Sequence, residues 1–210
     1  QKLISAADTA QGSQSFAWQQ QLRHCWDGHT GTEVAAASCI VKQLDVVVSY
    51  GFEFQGASSR VVITPLTDRC WLSITQALRG RQLTAVCGPT GVGKSQTVQD
   101  LAKGLGVLCI VFNCTSRTSV GALGQWLAGV VQEGCWGCFE SFDQIQPEVL
   151  GTASQLIRVI RQALLQAADR LTLEGAIRTL RPSLNLTLCM AAVNCTDDTL
   201  QSVRRLPFGL

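Results

Sequence analysis

Residues 88–95, with the sequence GPTGVGKS, decide how the rest of the chain is interpreted. They fit the pattern G-x-x-x-x-G-K-S/T, in which glycines let backbone N–H groups surround phosphates, the lysine reaches the terminal phosphates and the hydroxyl binds Mg²⁺. Apolar residues at 83–87 precede this stretch, and Val98, Leu101 and Leu105 follow it at helical spacing. A strand, a loop and a helix in this order predict a phosphate-binding loop rather than a glycine-rich turn without a ligand.

The composition is that of a globular protein with a large apolar core. Of its 210 residues, 46% are hydrophobic and 15% are charged, which suits one or two domains. The formal net charge is +2 and there is no basic run, so a nucleic-acid partner has no electrostatic support. The longest apolar stretches, about ten residues, are too short for a membrane span, and the N-terminus has no signal-peptide pattern. We therefore expect a soluble intracellular protein with no membrane partner.

The ten cysteines are scattered over predicted strands and helices and are not spaced as the framework of a small secreted domain. Buried, reduced thiols are therefore the expected state. Cys135 and Cys138 have C-x-x-C spacing, which leaves zinc or redox chemistry as an alternative. No second pair and no nearby histidine completes a set of four ligands, and His24 and His29 are interpreted as ordinary surface residues.

The N-terminal part of the chain is predicted to contain little regular structure before a helix and a hairpin. Residues 1–15 are polar and without periodicity, which predicts a poorly structured edge. Residues 16–26, FAWQQQLRHCW, place their large apolar side chains at helical spacing and predict a helix. Residues 41–54 are rich in valine and phenylalanine, and they predict a hairpin that turns at Tyr50 and Gly51.

The next stretch, VVITPLTDR at residues 61–69, predicts a boundary between two elements. Its apolar, strand-like beginning ends at Pro65, and a helix capped by Thr67 is expected to continue to Gly80.

After the phosphate-binding loop, buried strands alternate with helices. Unalternating apolar runs are typical of strands that are covered on both faces, and residues 107–114 form such a run. Residues 135–139 are predicted as a further buried strand, and residues 184–193 are strand-like. Helices are predicted over residues 121–131 and from Pro147 onward, and a hairpin is predicted around Glu174 and Gly175. This alternation predicts an α/β fold with a parallel sheet and with ligands at the carboxyl ends of its strands.

Four stretches resemble the first AAA+ module of the motor region of dynein heavy chains. They are GFEFQGASSRVVITPLTDRC at 51–70, GPTGVGKSQTVQDLAK at 88–103, VFNC at 111–114 and CWGCFESFDQIQPEVL at 135–150. The resemblance extends from about residue 16 to residue 210, and the ITPLTDR stretch is more specific to the family than the phosphate-binding loop. Departures at catalytic positions mark a divergent member.

The resemblance implies a P-loop NTPase fold, the AAA+ large subdomain, in which helices flank a parallel sheet. Residues 16–48 would be the end of the helical linker and an entry segment. Residues 49–210 would be the nucleotide-binding large subdomain, which ends before its helical lid.

The resemblance also implies an ATP site, with Mg²⁺ as its second cofactor. The adenine pocket would be lined by residues of the 62–66 stretch, namely Val62, Ile63, Pro65 and Leu66. The phosphates would be held by Gly88, Gly91, Gly93 and Lys94. The nucleotide-binding set is completed by neighbours in the loop and in the first helical turn, namely Pro89, Thr90, Val92, Ser95 and Gln96, of which Ser95 would bind Mg²⁺.

The second nucleotide motif departs from the family. The family sequence is roughly CFDEFNRI, and this chain has CFESFDQI, with Phe139 and Phe142 fixing the frame. Glu140 then replaces the aspartate that supports Mg²⁺, and Ser141 replaces the glutamate that polarises the attacking water. Loss of a general base typically costs 10²–10⁴ in rate, so weak or absent hydrolysis is expected. Two alternatives remain: Glu140 acts as the base in a shifted frame, or Asp143 reaches in from the next turn.

Two more functional residues follow from the resemblance. Asn194 matches the sensor-I asparagine, which orients the water and the γ-phosphate. Residues 195–199 lack the Pro-Gly-Tyr-Ala-Gly-Arg pattern that follows it in the family. Arg204 or Arg205, with Arg205 preferred, lies where the family has an arginine that acts on a neighbouring module.

The implied setting is microtubule-based movement. The partners would be neighbouring AAA+ modules of a longer chain and, through other parts of that chain, dynein intermediate and light chains and microtubules. The expected location is the cytoplasm and cytoskeleton, including the axoneme of a cilium or flagellum. Two alternatives are a structural or regulatory scaffold with a vestigial pocket and an unrelated P-loop enzyme such as a small-molecule kinase.

Overall fold

The computed structural model describes residues 15–27, 38–57, 59–173, 175–181 and 183–191. Several predicted features lie outside these residues: the edge at 1–14, His29, Asn194, Cys195, Arg204 and Arg205.

The first described elements are a short helix and a three-stranded antiparallel sheet of order β1-β2-β3. The elements are helix α1 (Phe16–Gln19) and strands β1 (Arg23–Asp27), β2 (Ser38–Gln43) and β3 (Val46–Ser49). The predicted helix over 16–26 is therefore wrong beyond Gln19. An isolated helix of this length is marginal, and here β1 instead forms a ladder with β2.

The hairpin also turns earlier than predicted. Gln43 pairs with Val46, so the turn falls at Leu44 and Asp45 rather than at Tyr50 and Gly51. Gly51 serves a different purpose: its N–H donates to Leu105 O at 2.9 Å, and a Cβ on Gly51 would lie 2.5 Å from Gly106 O. The glycine is needed for this close approach between two backbones.

Helix α2 (Pro65–Arg79) starts and ends close to the predicted boundaries. Its N-cap is Thr64, whose side chain accepts a hydrogen bond from the N–H of Thr67, and Thr67 Oγ1 accepts one from the Thr64 N–H in return. The cap is therefore Thr64 rather than Thr67 alone, and the two threonines form a reciprocal capping box. The residues before Thr64 are irregular and form no strand, whereas the end at Gly80 is confirmed.

The central sheet confirms the parallel α/β prediction. Its four strands have the order β4-β9-β6-β5, and each neighbouring pair is parallel. The elements in chain order are β4 (Thr84–Gly88), α3 (Lys94–Leu105), β5 (Cys109–Asn113), α4 (Val120–Glu133), β6 (Trp136–Glu140), a 3₁₀ turn (Phe142–Gln144), α5 (Pro147–Leu165), β7 (Arg170–Leu173), β8 (Ala176–Thr179) and β9 (Asn185–Ala191). The hairpin predicted around Gly175 is confirmed as β7 and β8.

Helices cover both faces of this sheet, as the unalternating apolar runs predict. Helices α4 and α5 form one apolar cluster with β9, and its fully buried members include Leu123, Leu127, Ile157, Ile160, Leu186 and Leu188. Helices α2 and α3 form the other cluster with β6 and β9, and its buried members include Trp71, Ile74, Val98, Leu101, Cys138 and Cys189. Since neighbouring residues of a strand face opposite ways, Leu188 and Cys189 belong to different clusters.

The N-terminal sheet is held on α2 and α3 by specific hydrogen bonds. The buried Gln43 side chain donates to Gln20 O at 2.8 Å and accepts from the Thr75 hydroxyl at 2.7 Å. His24 Nε2 lies 2.8 Å from Gly104 O near the end of α3. The entry segment is thereby attached to the helix that follows the phosphate-binding loop.

The C-x-x-C pair is divided between the two cores. Cys135 packs in the cluster of α4 and α5, whereas Cys138 packs in that of α2 and α3. Within the described ranges, no group of three or more His, Cys, Asp or Glu side chains could hold a metal ion. No helix in the described part of the chain is long and apolar enough to cross a membrane.

Candidate nucleotide-binding site

The loop between β4 and α3 has a backbone shape that only glycine adopts readily. Gly91 and Gly93 both have φ of +84°, in the left-handed region. A Cβ on Gly91 would meet nothing within 4 Å, and one on Gly93 would make only an ordinary contact with the Gln96 side chain at 3.8 Å. Both glycines are therefore required by conformation and not by lack of space.

The loop leads directly into the N-terminus of α3. Gly93 is the N-cap of this helix and supplies no capping side chain, and the first turn contains no acidic residue. The N–H groups of a first turn lack partners within the helix and carry partial positive charge. A loop of this kind followed by a helix N-terminus is suited to bind phosphate.

The Lys94 side chain lies back over the loop. Its Nζ donates to Gly88 O at 2.8 Å and to Pro89 O at 2.7 Å. These contacts hold one full positive charge among the backbone groups that would surround a phosphate.

The loop and the carboxyl end of β6 enclose one cavity of about 270 Å³. The cavity is lined by Thr90, Gly91, Gly93, Lys94, Ser95, Gln96, Glu140, Ser141 and Cys189. Most of the predicted phosphate and metal residues are therefore brought together with both candidate residues of the second motif. Gly88, Pro89 and Val92 belong to the same loop but do not line the cavity.

Glu140 and Ser141 enter the cavity because their neighbours are fixed in the core. Phe139 and Phe142 are both buried, and their rings meet edge to face with centroids 6.4 Å apart. Glu140 ends β6, and its carbonyl accepts a hydrogen bond from the Cys114 N–H at 3.0 Å. Ser141 follows in the left-handed region with φ of 51°, which directs the chain into the 3₁₀ turn.

Asp143 is placed differently from these two residues. It is exposed and does not line the cavity. Its charge acts on Cys114: burial, and to a smaller extent the Asp143 carboxylate, raises the pKa of that thiol to about 12.

Cys189 is a cavity residue that the sequence analysis did not identify. Its Sγ lies 3.6 Å from Cys138 Sγ on the neighbouring strand β6. Hydrogen bonds from Cys138 and from Ser95 lower the pKa of Cys189, and burial opposes them. The Cys138 pKa is raised by the same contact and by burial. The position of Cys189 depends on the register of β9, for which a single sequence carries no signal.

The residues predicted for adenine lie outside this cavity. Val62, Ile63 and Leu66 are exposed apolar side chains, with 79%, 51% and 75% of their surface accessible. Pro65 is the first residue of α2. The predicted Asn194 lies beyond the described part of β9, which ends at Ala191 beside Gly88.

A phosphate-binding loop between a strand of a parallel sheet and a helix, with an acidic strand end facing it, defines a P-loop NTPase of the AAA+ class. The chain belongs more specifically to the family described as the hydrolytic ATP binding site of the dynein motor region, whose model matches residues 50–201.

Curated relatives agree with this assignment. Dynein axonemal heavy chain 11 of Sus scrofa is 38% identical over 189 residues, which cover 90% of this chain and 4% of that protein. The dynein-1-alpha heavy chain of the flagellar inner arm I1 complex of Chlamydomonas reinhardtii is 38% identical over 178 residues, covering 85% and 4%. Human dynein axonemal heavy chain 6 is 40% identical over 162 residues, covering 77% and 4%. The chain thus spans about 4% of the length of these relatives.

Proposed function

We propose that this ATP site binds Mg-ATP and hydrolyses it weakly or not at all. The observation that carries the proposal is Ser141, which lines the cavity beside Glu140 where the family has its catalytic glutamate. A neutral hydroxyl does not accept a proton at neutral pH as a carboxylate does. Because general-base catalysis contributes roughly 10²–10⁴ in rate, ATP would be held long after an ordinary AAA+ site had cleaved it.

Binding itself requires only groups that the chain retains. The left-handed glycines and the open first turn of α3 would surround the phosphates, and Lys94 would exchange its two loop carbonyls for phosphate oxygens. A preorganised loop of this kind binds phosphate through backbone N–H groups, which do not depend on the second motif.

The residues at the cavity also suit Mg²⁺. Ser95 contributes a hydroxyl and Glu140 a carboxylate, and Mg²⁺ prefers such oxygen ligands. When bound, Mg²⁺ would neutralise charge on the phosphates. Glu140 is one methylene longer than the family aspartate, so it would support the ion from an altered position.

The same carboxylate is the first alternative base. Glu140 lines the cavity next to Ser141, so an attacking water that is bound nearer to residue 140 would lie within hydrogen-bond reach of its carboxylate. Asp143 is a weaker alternative, because it lies outside the cavity lining. In either case the site would turn over and the proposal of a binding-only site would be wrong.

The remaining residues of the proposed site come from the family resemblance. Val62, Ile63, Pro65 and Leu66 would cover the adenine. Asn194 would orient water and γ-phosphate, and Arg205 would act on a neighbouring module.

We extend the proposal to the protein that carries this chain. The dynein relatives support a role in microtubule-based movement, with neighbouring AAA+ modules in the same chain. Their names refer to axonemes and flagella, which favours the axoneme as the location. Intermediate chains, light chains and microtubules would then be bound through other parts of the protein. The alternative is a dynein-like scaffold whose nucleotide pocket is vestigial.

The test is Mg-ATP affinity and turnover of the protein with its full encoded sequence, for the wild type and for Lys94→Ala. We expect tight binding that Lys94→Ala removes, and no turnover that depends on Lys94. The matched control is Lys42→Ala, which removes a lysine of β2 outside the cavity and should leave binding unchanged.

Two results would contradict the proposal in different ways. Lys94-dependent turnover at ordinary AAA+ rates would show an active site and make Glu140 the candidate base. A folded protein in which Lys94→Ala changes neither affinity nor turnover would favour the scaffold with a vestigial pocket.

A further inference from the structure

We propose that Cys138 and Cys189 form an oxidation site in the wall of the candidate nucleotide cavity. A peroxide would convert the two thiols to a disulfide, and the disulfide would weaken ATP binding until a thiol reductant opens it. The oxidation site itself rests on the placement of the two sulfurs. Its effect on ATP rests on the proposed function, because it requires the cavity to bind Mg-ATP.

The two thiols lie on neighbouring strands and on the same face of the central sheet. Cys138 Sγ and Cys189 Sγ are 3.6 Å apart, and both side chains belong to the apolar cluster of α2 and α3. The sulfurs of a disulfide are about 2 Å apart, so the two atoms need to approach by roughly 1.5 Å. Cys135, the C-x-x-C neighbour of Cys138, packs in the other cluster. The thiol that Cys138 meets is therefore Cys189.

Only one of the two thiols is reached from the cavity. Cys189 lines the cavity although just 2% of its surface is exposed, whereas Cys138 is fully buried and is not part of the lining. An oxidant as small as a peroxide would therefore meet Cys189 first. An accessible thiol beside a second thiol that can resolve it is the arrangement found in reversible redox sensors.

Oxidation by hydrogen peroxide would proceed in two steps. The Cys189 sulfur attacks one peroxide oxygen, so that an S–O bond forms, the O–O bond breaks, and Cys189 becomes a sulfenic acid while one water leaves. The Cys138 sulfur then attacks the Cys189 sulfur, so that an S–S bond forms, the S–O bond breaks, and the hydroxyl leaves as a second water with the Cys138 proton. Two thiols are thereby oxidised to one disulfide, and one hydrogen peroxide is reduced to two waters.

The register of β9 connects this bond to the phosphate-binding loop. Cys138 pairs with Thr187, so Cys189 lies two residues further towards the carboxyl end of β9. A diagonal bond would draw that end towards β6, and the same end pairs with β4 as far as Gly88, where the loop begins. Ser95, the proposed Mg²⁺ ligand, also donates a hydrogen bond to Cys189. A disulfide would therefore disturb the cavity at two points.

The diagonal placement also favours easy reduction. A bond between diagonal neighbours spans farther than one between residues directly opposite each other, which strains it. Strained disulfides are the ones that reductants open readily. The loss of ATP binding should therefore be reversible.

The experiment treats the protein with its full encoded sequence with hydrogen peroxide and measures two quantities. Mass spectrometry of its peptides locates the disulfide. Equilibrium binding gives the Mg-ATP affinity of the reduced, oxidised and re-reduced protein, as the part of the signal that Lys94→Ala removes. We expect a Cys138–Cys189 disulfide and about tenfold weaker ATP binding, which a thiol reductant reverses. Mg-ATP should in turn slow the oxidation, because two binding events that oppose each other do so reciprocally.

Two variants and a matched control separate the roles of the thiols, each compared with its own reduced form. In Cys189→Ala, peroxide should no longer change the ATP affinity. In Cys138→Ala, the cavity thiol has no resolving partner, so excess peroxide should carry it to the sulfinic acid and the loss should resist thiol reductants. Cys109→Ala is the control, because that thiol packs against the same cluster without lining the cavity. Its response to peroxide should be that of the wild type.

The outcomes separate the oxidation site from the proposed function. No Cys138–Cys189 disulfide at a dose of peroxide that oxidises the exposed Cys87 would overturn the oxidation site. A disulfide that leaves the Lys94-dependent affinity unchanged would overturn its effect on ATP. If the reduced wild type shows no Lys94-dependent binding, the proposed function fails and the control of ATP binding fails with it, while the peptide analysis still decides the oxidation site.

Discussion

The two sides of the candidate nucleotide cavity present different side chains for the chemistry of ATP hydrolysis. On one side, the loop keeps its lysine, its hydroxyl and the left-handed Gly91 and Gly93. On the other side, the end of β6 keeps its place through buried phenylalanines but presents Glu140 and Ser141. This difference shows that core packing determines where the site residues lie, whereas single side chains determine what chemistry they can perform.

This separation makes binding and turnover independently testable. Backbone N–H groups and one lysine would hold the phosphates, whereas proton transfer needs a base within hydrogen-bond reach of the water. A change at Ser141 should therefore alter turnover with little effect on affinity, and a change in the loop should do the reverse.

The largest expected effect is a gain of turnover in Ser141→Glu. The substitution restores a carboxylate at a position that already lines the cavity, so we expect ATP hydrolysis to rise by roughly 10²–10⁴ over the wild type. Affinity for Mg-ATP should stay within a factor of a few. Steady-state phosphate release and equilibrium binding measure the two quantities.

The control for this change is Ser141→Gln, which has nearly the same shape as glutamate but is not a base. It should leave turnover at the wild-type level. Equal turnover in Ser141→Glu and the wild type would mean that the absence of a carboxylate at residue 141 does not limit the rate of hydrolysis. Glu140 would then be the candidate base.

The sequence alone was sufficient for the loop and the parallel sheet, and the reason is local chemistry. A left-handed backbone at Gly93 favours glycine, and an apolar run such as residues 107–114 is typical of a strand covered on both faces, so both signals are found in consecutive residues. The boundaries of α3 and β6 follow from the same signals. The two phenylalanines of CFESFDQI fixed the frame of the second motif by resemblance, and the structure buries both of them.

The features that the sequence did not predict depend on contacts between distant residues. The stretch at residues 16–26 has helical spacing of its large apolar side chains, and only pairing with β2 makes its second half the strand β1. Cys189 lines the cavity because of its register in β9, and Arg60 meets Asp100 across 40 residues of chain. Neither has a local pattern, since the partner's position is set by the tertiary fold.

A smaller effect is expected when the packing behind β6 is disturbed. Phe142→Ala removes a buried ring that contacts Phe139, and such changes cost about 3–5 kcal/mol in the free energy of unfolding. Urea denaturation followed by tryptophan fluorescence measures this cost. Phe54→Ala is the control, because that ring is exposed and its loss should be nearly neutral. A neutral Phe142→Ala would show that the β6 side does not depend on this anchor.

The smallest effect should come from Gly93→Ala, which tests the loop side by conformation alone. The added Cβ has space, its nearest neighbour being Gln96 Oε1 at 3.8 Å, but an L-residue in the left-handed region costs about 1–2 kcal/mol. We expect roughly tenfold weaker Mg-ATP binding. The free loop relieves the strain by leaving the left-handed conformation, and that conformation must be restored when ATP binds. Gly121→Ala is the matched control: a Cβ there meets nothing within 4 Å, and Gly121 is in the first turn of α4, so the change should stabilise the protein slightly and leave binding unchanged. If both variants bind ATP as the wild type does, the left-handed glycine is not what preorganises the loop, and Lys94 with the first turn of α3 must supply most of the affinity.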